Sequence, residues 1–412
     1  MKALLIGIAL SAAAVTAMAQ DDAGTAPRKR LPENPNGKAA APAVKNISPR
    51  PDYWTTERFR EVKPMPFPSA GRSLPQTLDD SAGEPQPQSY SDDQPGASGP
   101  GQPPRLEPSV LQPLEKRLYV PDEQPADSTG TETDSAGPSG DSTQGTSGNV
   151  AMPLDVGFGR AYFSSQALVP PTADQSYPYS TVGRLFFTIP GQGDFVCSGA
   201  VIYPRLVLTA GHCVHSGSGG QSGWFTNFLF APAYRDGATP YSVWQGSAAI
   251  VTTAWLNGNG QVPNAADYAL IEVEDQTVEG IPRRIGDVVG YLGYQTNRLI
   301  PNHAHLLGYP VNFDRGERMH QVTAQSFRRY LNENALYGSD MGGGSSGGPW
   351  IMNFGSAAGG QAGGAEPARN QVIGVNSYGF EQPPQIVGSS TLNDNFISIL
   401  NQACSRRPGN CP

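Results

Sequence analysis

From about Val156 onward the apolar residues come in short runs, some alternating and some continuous, each cut by Gly, Pro or Asn. Runs of that length suit strands rather than helices, so this part of the chain must close its core with sheets and reads as an all-β barrel protein. The strongest strand candidates are Val182 to Ile189, Phe195 to Ile202, Arg205 to Thr209, Trp224 to Phe230, Tyr268 to Val273 and Val372 to Asn376. Tyr203-Pro204 makes the turn between the second and third. A helical period emerges only near the C-terminus, where Phe396, Ile397, Leu400 and Ala403 share a face and Thr391 or Asn393 offers an N-cap. The Gly-rich stretches His215 to Gly223 and Gly355 to Gly364 read as mobile surface loops.

The preceding region is of another kind. Residues 1–19 open with Met1-Lys2, run apolar from Ala3 to Val15 and end in Ala17-Met18-Ala19, the pattern of a secretory signal peptide. The run is shorter than the ~20 residues a bilayer span needs, so no membrane anchor is expected after cleavage, and the product should be extracellular or periplasmic. Residues 20–150 are rich in Pro, Gly, Ser, Gln and Asp, too poor in apolar surface to offset the entropy of ordering, and are expected to be a disordered pro-segment or linker. The stretch Asp127 to Gly148 is pure linker by composition. One island stands out: Tyr53-Trp54-Thr55-Thr56-Glu57-Arg58-Phe59-Arg60 followed by Pro64-Met65-Pro66-Phe67-Pro68. It reads either as an element that docks on the folded part or as a sticky patch within a tail. Residues 151–412 form the remaining domain.

A net charge of −8 with only short basic clusters, such as Arg28-Lys29-Arg30, excludes a nucleic-acid partner of the ordinary phosphate-binding kind. Four cysteines in an exported chain point to two disulfides, with three connectivities open. They lack the C-x-x-C pairs of a zinc site, and no metal or organic cofactor is implied. Nor do His303 and His305 suggest a metal site without a third ligand; they flank an alanine in an expected turn, while His215 lies in the Gly/Ser loop and His320 in a polar run.

Three motifs carry chemistry. Thr209-Ala210-Gly211-His212-Cys213 comes first, Asp267-Tyr268-Ala269-Leu270 second, and Gly344-Ser345-Ser346-Gly347-Gly348-Pro349 third. A serine hydroxyl is a weak nucleophile unless a neutral imidazole takes its proton and a carboxylate holds that imidazole in the right tautomer. His212 is therefore the candidate base, Asp267 the orienting carboxylate and Ser346 the nucleophile. Because the imidazole must be neutral to act, activity should fall at acid pH. Glycines on both sides of Ser346 permit the sharp turn that aims the N–H groups of Gly344 and Ser346 at one spot, an oxyanion hole. The same residues satisfy G-x-S-x-G, the nucleophile elbow of α/β-hydrolases, but there the histidine follows the serine, and here the last histidine, His320, precedes it.

With these motifs in the order His, Asp, Ser, roughly the C-terminal 60% of the chain resembles the chymotrypsin/trypsin-like secreted serine endopeptidases, in particular their V8-like, glutamyl endopeptidase-like bacterial branch. The resemblance implies two packed antiparallel six-stranded β-barrels with a closing C-terminal helix, a polypeptide substrate, a zymogen and a monomer. It implies a Cys197–Cys213 disulfide, and Cys404–Cys411 would then close a small terminal loop. Asn376-Ser377-Tyr378-Gly379 resembles the segment that pairs with an extended substrate, which assigns Ser377 and Gly379 to the peptide backbone. Asp340 stands where trypsin-like enzymes carry the carboxylate that selects Lys or Arg. Glu-specific relatives add a threonine and a histidine where this chain has Met341 and Asn376. The trypsin activation switch does not carry over: Ser345 replaces the aspartate before the nucleophile, and the nearest text to its N-terminal signature is Thr181-Val182-Gly183-Arg184. A protease-like fold used only to bind peptide is the alternative from another class.

Overall fold

The strand Val182–Ile189 buries every residue except Thr188, which a strand can do only when both its faces are covered. It lies within a closed six-stranded antiparallel barrel. Around that barrel the order is Trp244–Val251, Ala269–Val273, Leu206–Thr209, Gly193–Tyr203, Val182–Ile189 and Thr226–Pro232, which pairs back onto Trp244–Val251. Closure leaves the barrel no free edge. The chain is a computed structural model that describes residues 41–71, 96–106, 116–120, 161–278, 280–300, 302–330, 333–355, 368–381 and 385–412, all within a unit spanning Lys38–Pro412.

A second curved sheet runs Ile386–Ser390, Asn334–Gly338, His320–Tyr330, His303–Gly308, Pro349–Met352 and Gln371–Val375. Its first and last members meet where the N–H of Val375 donates to Ser389 Oγ and that of Ser377 to the Gly388 carbonyl. The fold is thus mostly β, a closed six-stranded barrel beside a second barrel-like sheet, as the family resemblance implies. His303 and His305 lie in a strand rather than a turn, and His305 stacks on Phe354 at 4.5 Å between ring centres.

The helix Asp394–Arg406 closes the fold, with the Asn393 side chain accepting from the N–H of Asn395 at its start. It buries Phe396, Ile399, Leu400 and Ala403; Ile399 takes the place expected of Ile397, which is only partly buried. Cys197–Cys213 and Cys404–Cys411 are both bonded.

Among the contacts that join the barrels, two sets stand out. Arg184, buried on the first, donates to Glu317 on the second at 2.7 Å, and Glu317 also accepts from the hydroxyls of Tyr234 and Tyr119. Burial drives the Glu317 carboxyl upward, but the Arg184 charge and the two hydroxyls outweigh it and hold the group below its usual range. The second set is Ser198, whose hydroxyl accepts from the N–H of Tyr309 and donates to the Gly344 carbonyl, while its own N–H donates to the Ser346 carbonyl.

Contrary to the expectation of disorder, residues 41–71, 96–106 and 116–120 are folded onto the barrels. Ala43–Asn46 adds an antiparallel strand to Trp244–Val251, Lys63–Pro64 pairs in parallel with Phe195 and Val196, Ser98–Gly99 pairs with Tyr294 and Gln295, and Lys116–Arg117 pairs with Ala238–Thr239. Composition misjudges these stretches because they bury little of their own surface against each other and use the apolar surface of the barrels instead. Residues 1–19, the stretch Asp127 to Gly148 and residues 356–364 lie outside the described residues. His215 is no mobile loop residue: it is buried, its ring bonded to the Gly220 carbonyl and the Gly217 N–H, and burial lowers its pKa.

Candidate active site

The strand Leu206–Thr209 is wholly buried and ends in a tight turn, Gly211–Cys213, that carries His212. Thr209 pairs with Ala269, so the residues just past one strand and just before the other are brought together, His212 beside Asp267. Only glycine fits at 211, because a Cβ there would stand 2.8 Å from the Trp255 ring and 2.9 Å from Asp267 Oδ1. The disulfide to Cys197 ties this turn to the neighbouring strand.

Asp267 is fully buried, and its carboxylate is held on both oxygens. Its Oδ1 accepts from the His212 backbone N–H at 2.9 Å, and its Oδ2 lies 2.8 Å from His212 Nδ1 and accepts from Ser377 Oγ at 2.5 Å. Its own N–H donates to Ser390 Oγ at 3.0 Å. A carboxylate can only accept, so Nδ1 carries the proton of this contact, and in a neutral ring the lone pair is then at Nε2. Among the described residues neither His212 Nε2 nor Ser346 Oγ, both buried, has a hydrogen-bond partner.

Ser346 sits in a turn that two left-handed glycines make possible, Gly344 at φ +83° and Gly347 at φ +80°. A Cβ at Gly347 would stand 2.1 Å from Thr209 Oγ1, and one at Gly344 2.7 Å from the Tyr309 carbonyl. The turn is pinned by Ser345 Oγ donating to the Gly342 carbonyl, by Gly347 N–H donating to the Asn376 carbonyl and by Trp350 Nε1 donating to Asn376 Oδ1. His212 and Asp267 thus come from one barrel and Ser346 from the other.

The remaining expected site residues are distributed differently. Ser377 has its N–H on Gly388 and its hydroxyl on Asp267, so its side chain steadies the buried carboxylate, a role separate from the one expected of its backbone. Gly379 does pair with an extended stretch of chain, donating to the Pro68 carbonyl at 2.9 Å and accepting from the Ala70 N–H at 3.0 Å. The Gly344 N–H donates to the Met65 carbonyl at 3.0 Å. At Asp340, Ser165, on the strand Phe163–Ala167, donates to Oδ1 at 2.8 Å and, its proton spent there, accepts from His320 Nε2 at 2.7 Å. Pairing of Phe163–Ala167 with His320–Ala324 brings these groups together, and residues so far upstream gave no hint of it. The Ser377 and Ser390 contacts on Asp267 likewise have no sequence signal, because a buried hydroxyl beside an aspartate carries no motif of its own. Cys197, His212 and Cys213 cluster closely, but both sulfurs are spent on their mutual bond.

Two barrels meeting at a buried His–Asp pair and a serine turn define a class, and the family comparison agrees. The family model described as trypsin matches residues 171–389, more than half of the chain, and the protein belongs to that family. Among curated proteins it is 29% identical over 182 residues to a glutamyl endopeptidase of Bacillus licheniformis, covering 43% of this chain and 50% of that protein. It is 25% identical over 183 residues to an extracellular metalloprotease of Bacillus subtilis, covering 43% and 53% respectively. The chain therefore spans about half the length of the curated relatives it matches. Among solved structures it is similar to the protease Anisep from Arthrobacter nicotinovorans, at 30% identity and a TM-score of 0.45, over 55% of this chain and 96% of that one.

Proposed function

We propose that the protein is an exported serine endopeptidase that hydrolyses polypeptides through an acyl-enzyme on Ser346. As Ser346 Oγ attacks the substrate carbonyl carbon, His212 Nε2 takes the hydroxyl proton, and Asp267 fixes the ring and offsets the charge it gains. The N–H groups of Gly344 and Ser346 receive the oxygen that becomes negative. Collapse breaks the C–N bond, and His212 returns its proton to the departing amine; water then repeats the sequence on the ester. The observation that carries this reading is the buried Asp267–His212 pair at the end of one barrel's strand beside the serine turn of the other barrel, where a Cβ at Gly347 would stand 2.1 Å from Thr209 Oγ1.

Gly379 is assigned to hold the substrate backbone. The relative in Bacillus licheniformis is named a glutamyl endopeptidase, but Met341 and Asn376 here are a thioether and an amide already bonded to Trp350, so no glutamate preference is carried over. Asp340, with an oxygen held by Ser165, gives little support to selection of Lys or Arg. The test is digestion of denatured casein by the matured protein recovered from the culture medium. Wild type should degrade it and Ser346→Ala should not; equal digestion by both would reject the proposal.

A further inference from the structure

The leader approaches the first barrel through the helix Thr56–Glu61, with Trp54 and Phe59 buried against Phe186 and Trp54 Nε1 donating to the Asn227 carbonyl. Tyr53 and Arg58 both bond the Asp194 carboxylate, at 2.7 and 2.8 Å. From this anchor the chain runs on as Lys63-Pro64-Met65-Pro66-Phe67-Pro68-Ser69-Ala70-Gly71 across both barrels. The Met65 N–H donates to the Val196 carbonyl at 2.8 Å, and the Met65 carbonyl then accepts from Gly344, the N–H assigned above to the oxyanion. Farther on, Pro68 and Ala70 bracket Gly379 with two backbone hydrogen bonds, and the Phe67 ring packs on the second barrel's core, 3.1 Å from where a Cβ of Gly379 would be. The Gly379 edge assigned to the substrate and the Gly344 N–H are thus both taken, and Ser346 is fully buried.

We propose that Lys63–Gly71 is a tethered inhibitor that fills the cleft in the direction opposite to a cleavable peptide. This rests on the reading of the cleft as a protease site. Along both edges the segment runs parallel to the barrel strand it meets, Lys63 and Pro64 beside Phe195 and Val196, and Ser69 beside Gly379. The part before Met65 lies by Val196, whose neighbour Cys197 is bonded to Cys213 beside His212. The part after Met65 begins with the Pro66 nitrogen and leads away to Gly379. The nitrogen that would have to depart is therefore aimed away from the imidazole that would have to protonate it, and the bond survives although its carbonyl sits at the donor. The three prolines fit such an inhibitor, because they hold the segment extended before it docks and leave no N–H unpaired at 64, 66 and 68. An extended, proline-spaced peptide with one aromatic side chain is thus the ligand class this cleft accepts in reverse.

The experiment uses the whole chain and follows the rate at which a fluorophosphonate labels Ser346. Phe67→Asp puts a charge where a ring is packed and should speed labelling by about tenfold or more, the factor that burial of one such ring converts to. Synthetic Lys63–Gly71 peptide added to that variant should slow it again and be recovered uncut by mass spectrometry. Equal, fast labelling of wild type and variant overturns the proposal, as does cleavage of the added peptide after Met65. Hydrogen exchange on the wild-type chain decides the point without a variant: the amides of Met65, Ala70, Gly344 and Gly379 should be slow, and fast exchange at Met65 and Ala70 overturns it. Protected amides together with no labelling of any form would leave the docking intact and refute the protease reading instead.

Discussion

Glu317→Gln is the sharpest probe of how the two barrels are held in register. Arg184 keeps its proton under all practical conditions, and its side chain is only 4% exposed. The glutamine is nearly isosteric: its carbonyl still accepts from Arg184, and rotation of the Tyr119 and Tyr234 hydroxyls lets them accept from the new amide. What disappears is the negative charge, which leaves a guanidinium buried and uncompensated. Breaking a buried pair on one side costs about 3–5 kcal/mol, whereas an exposed pair is worth less than about 1 kcal/mol. Urea denaturation followed by tryptophan fluorescence should show the larger loss at an unchanged slope. The double variant Arg184→Met with Glu317→Leu should recover at least half of it, since apolar groups carry no desolvation cost. A loss below about 1 kcal/mol for Glu317→Gln would refute the reasoning, because it would mean that water already screens the pair.

Two further perturbations follow from the site and its surroundings. Ser377→Ala removes a charge-assisted hydrogen bond from the buried Asp267 carboxylate, so it should cost about 1.5–3 kcal/mol of stability and lower kcat while leaving KM near its wild-type value; a raised KM with unchanged kcat would return Ser377 to substrate binding. Burial holds His320, and burial with the His303 charge holds His305, at about 4 instead of the ordinary 6.5. Between those values the unfolded chain binds protons that the fold does not, so stability is full above about pH 6.5 and drains away as pH falls toward 4, by about 3 kcal/mol for His320 alone. Denaturation midpoints at pH 7 and 4.5 should show this, and His320→Gln should flatten the dependence; an unchanged slope in that variant would remove His320 as its cause.

The barrel strands were legible because their patterning is local. Val182–Ile189 was read to the residue, and Leu206–Thr209 and Ala269–Val273 to within a residue or so, since continuous apolar runs between turn residues admit little else. The disulfide partners and the His212–Asp267 contact were legible through motif context. What escaped reading depends on surfaces distant in the chain. Residues 41–71 look too polar to fold because their anchors, Trp54, Phe59 and Phe67, are few, yet each finds a barrel surface already built. Asp340 falls at a suggestive spacing from Ser346, but the strand that captures it lies some 175 residues upstream. Ile399 outranks Ile397 in the last helix because the barrel surface, not the helical period alone, decides which flank of the stripe is covered.

Central to the proposed chemistry is Ser346 as a nucleophile activated by His212. Labelling the matured protein with a fluorophosphonate and mapping the adduct by tandem mass spectrometry measures this directly. A single adduct on Ser346, abolished in His212→Ala with the fold retained, is the expected result. Labelling at another serine, or equal labelling of Ser346 without the imidazole, would contradict it.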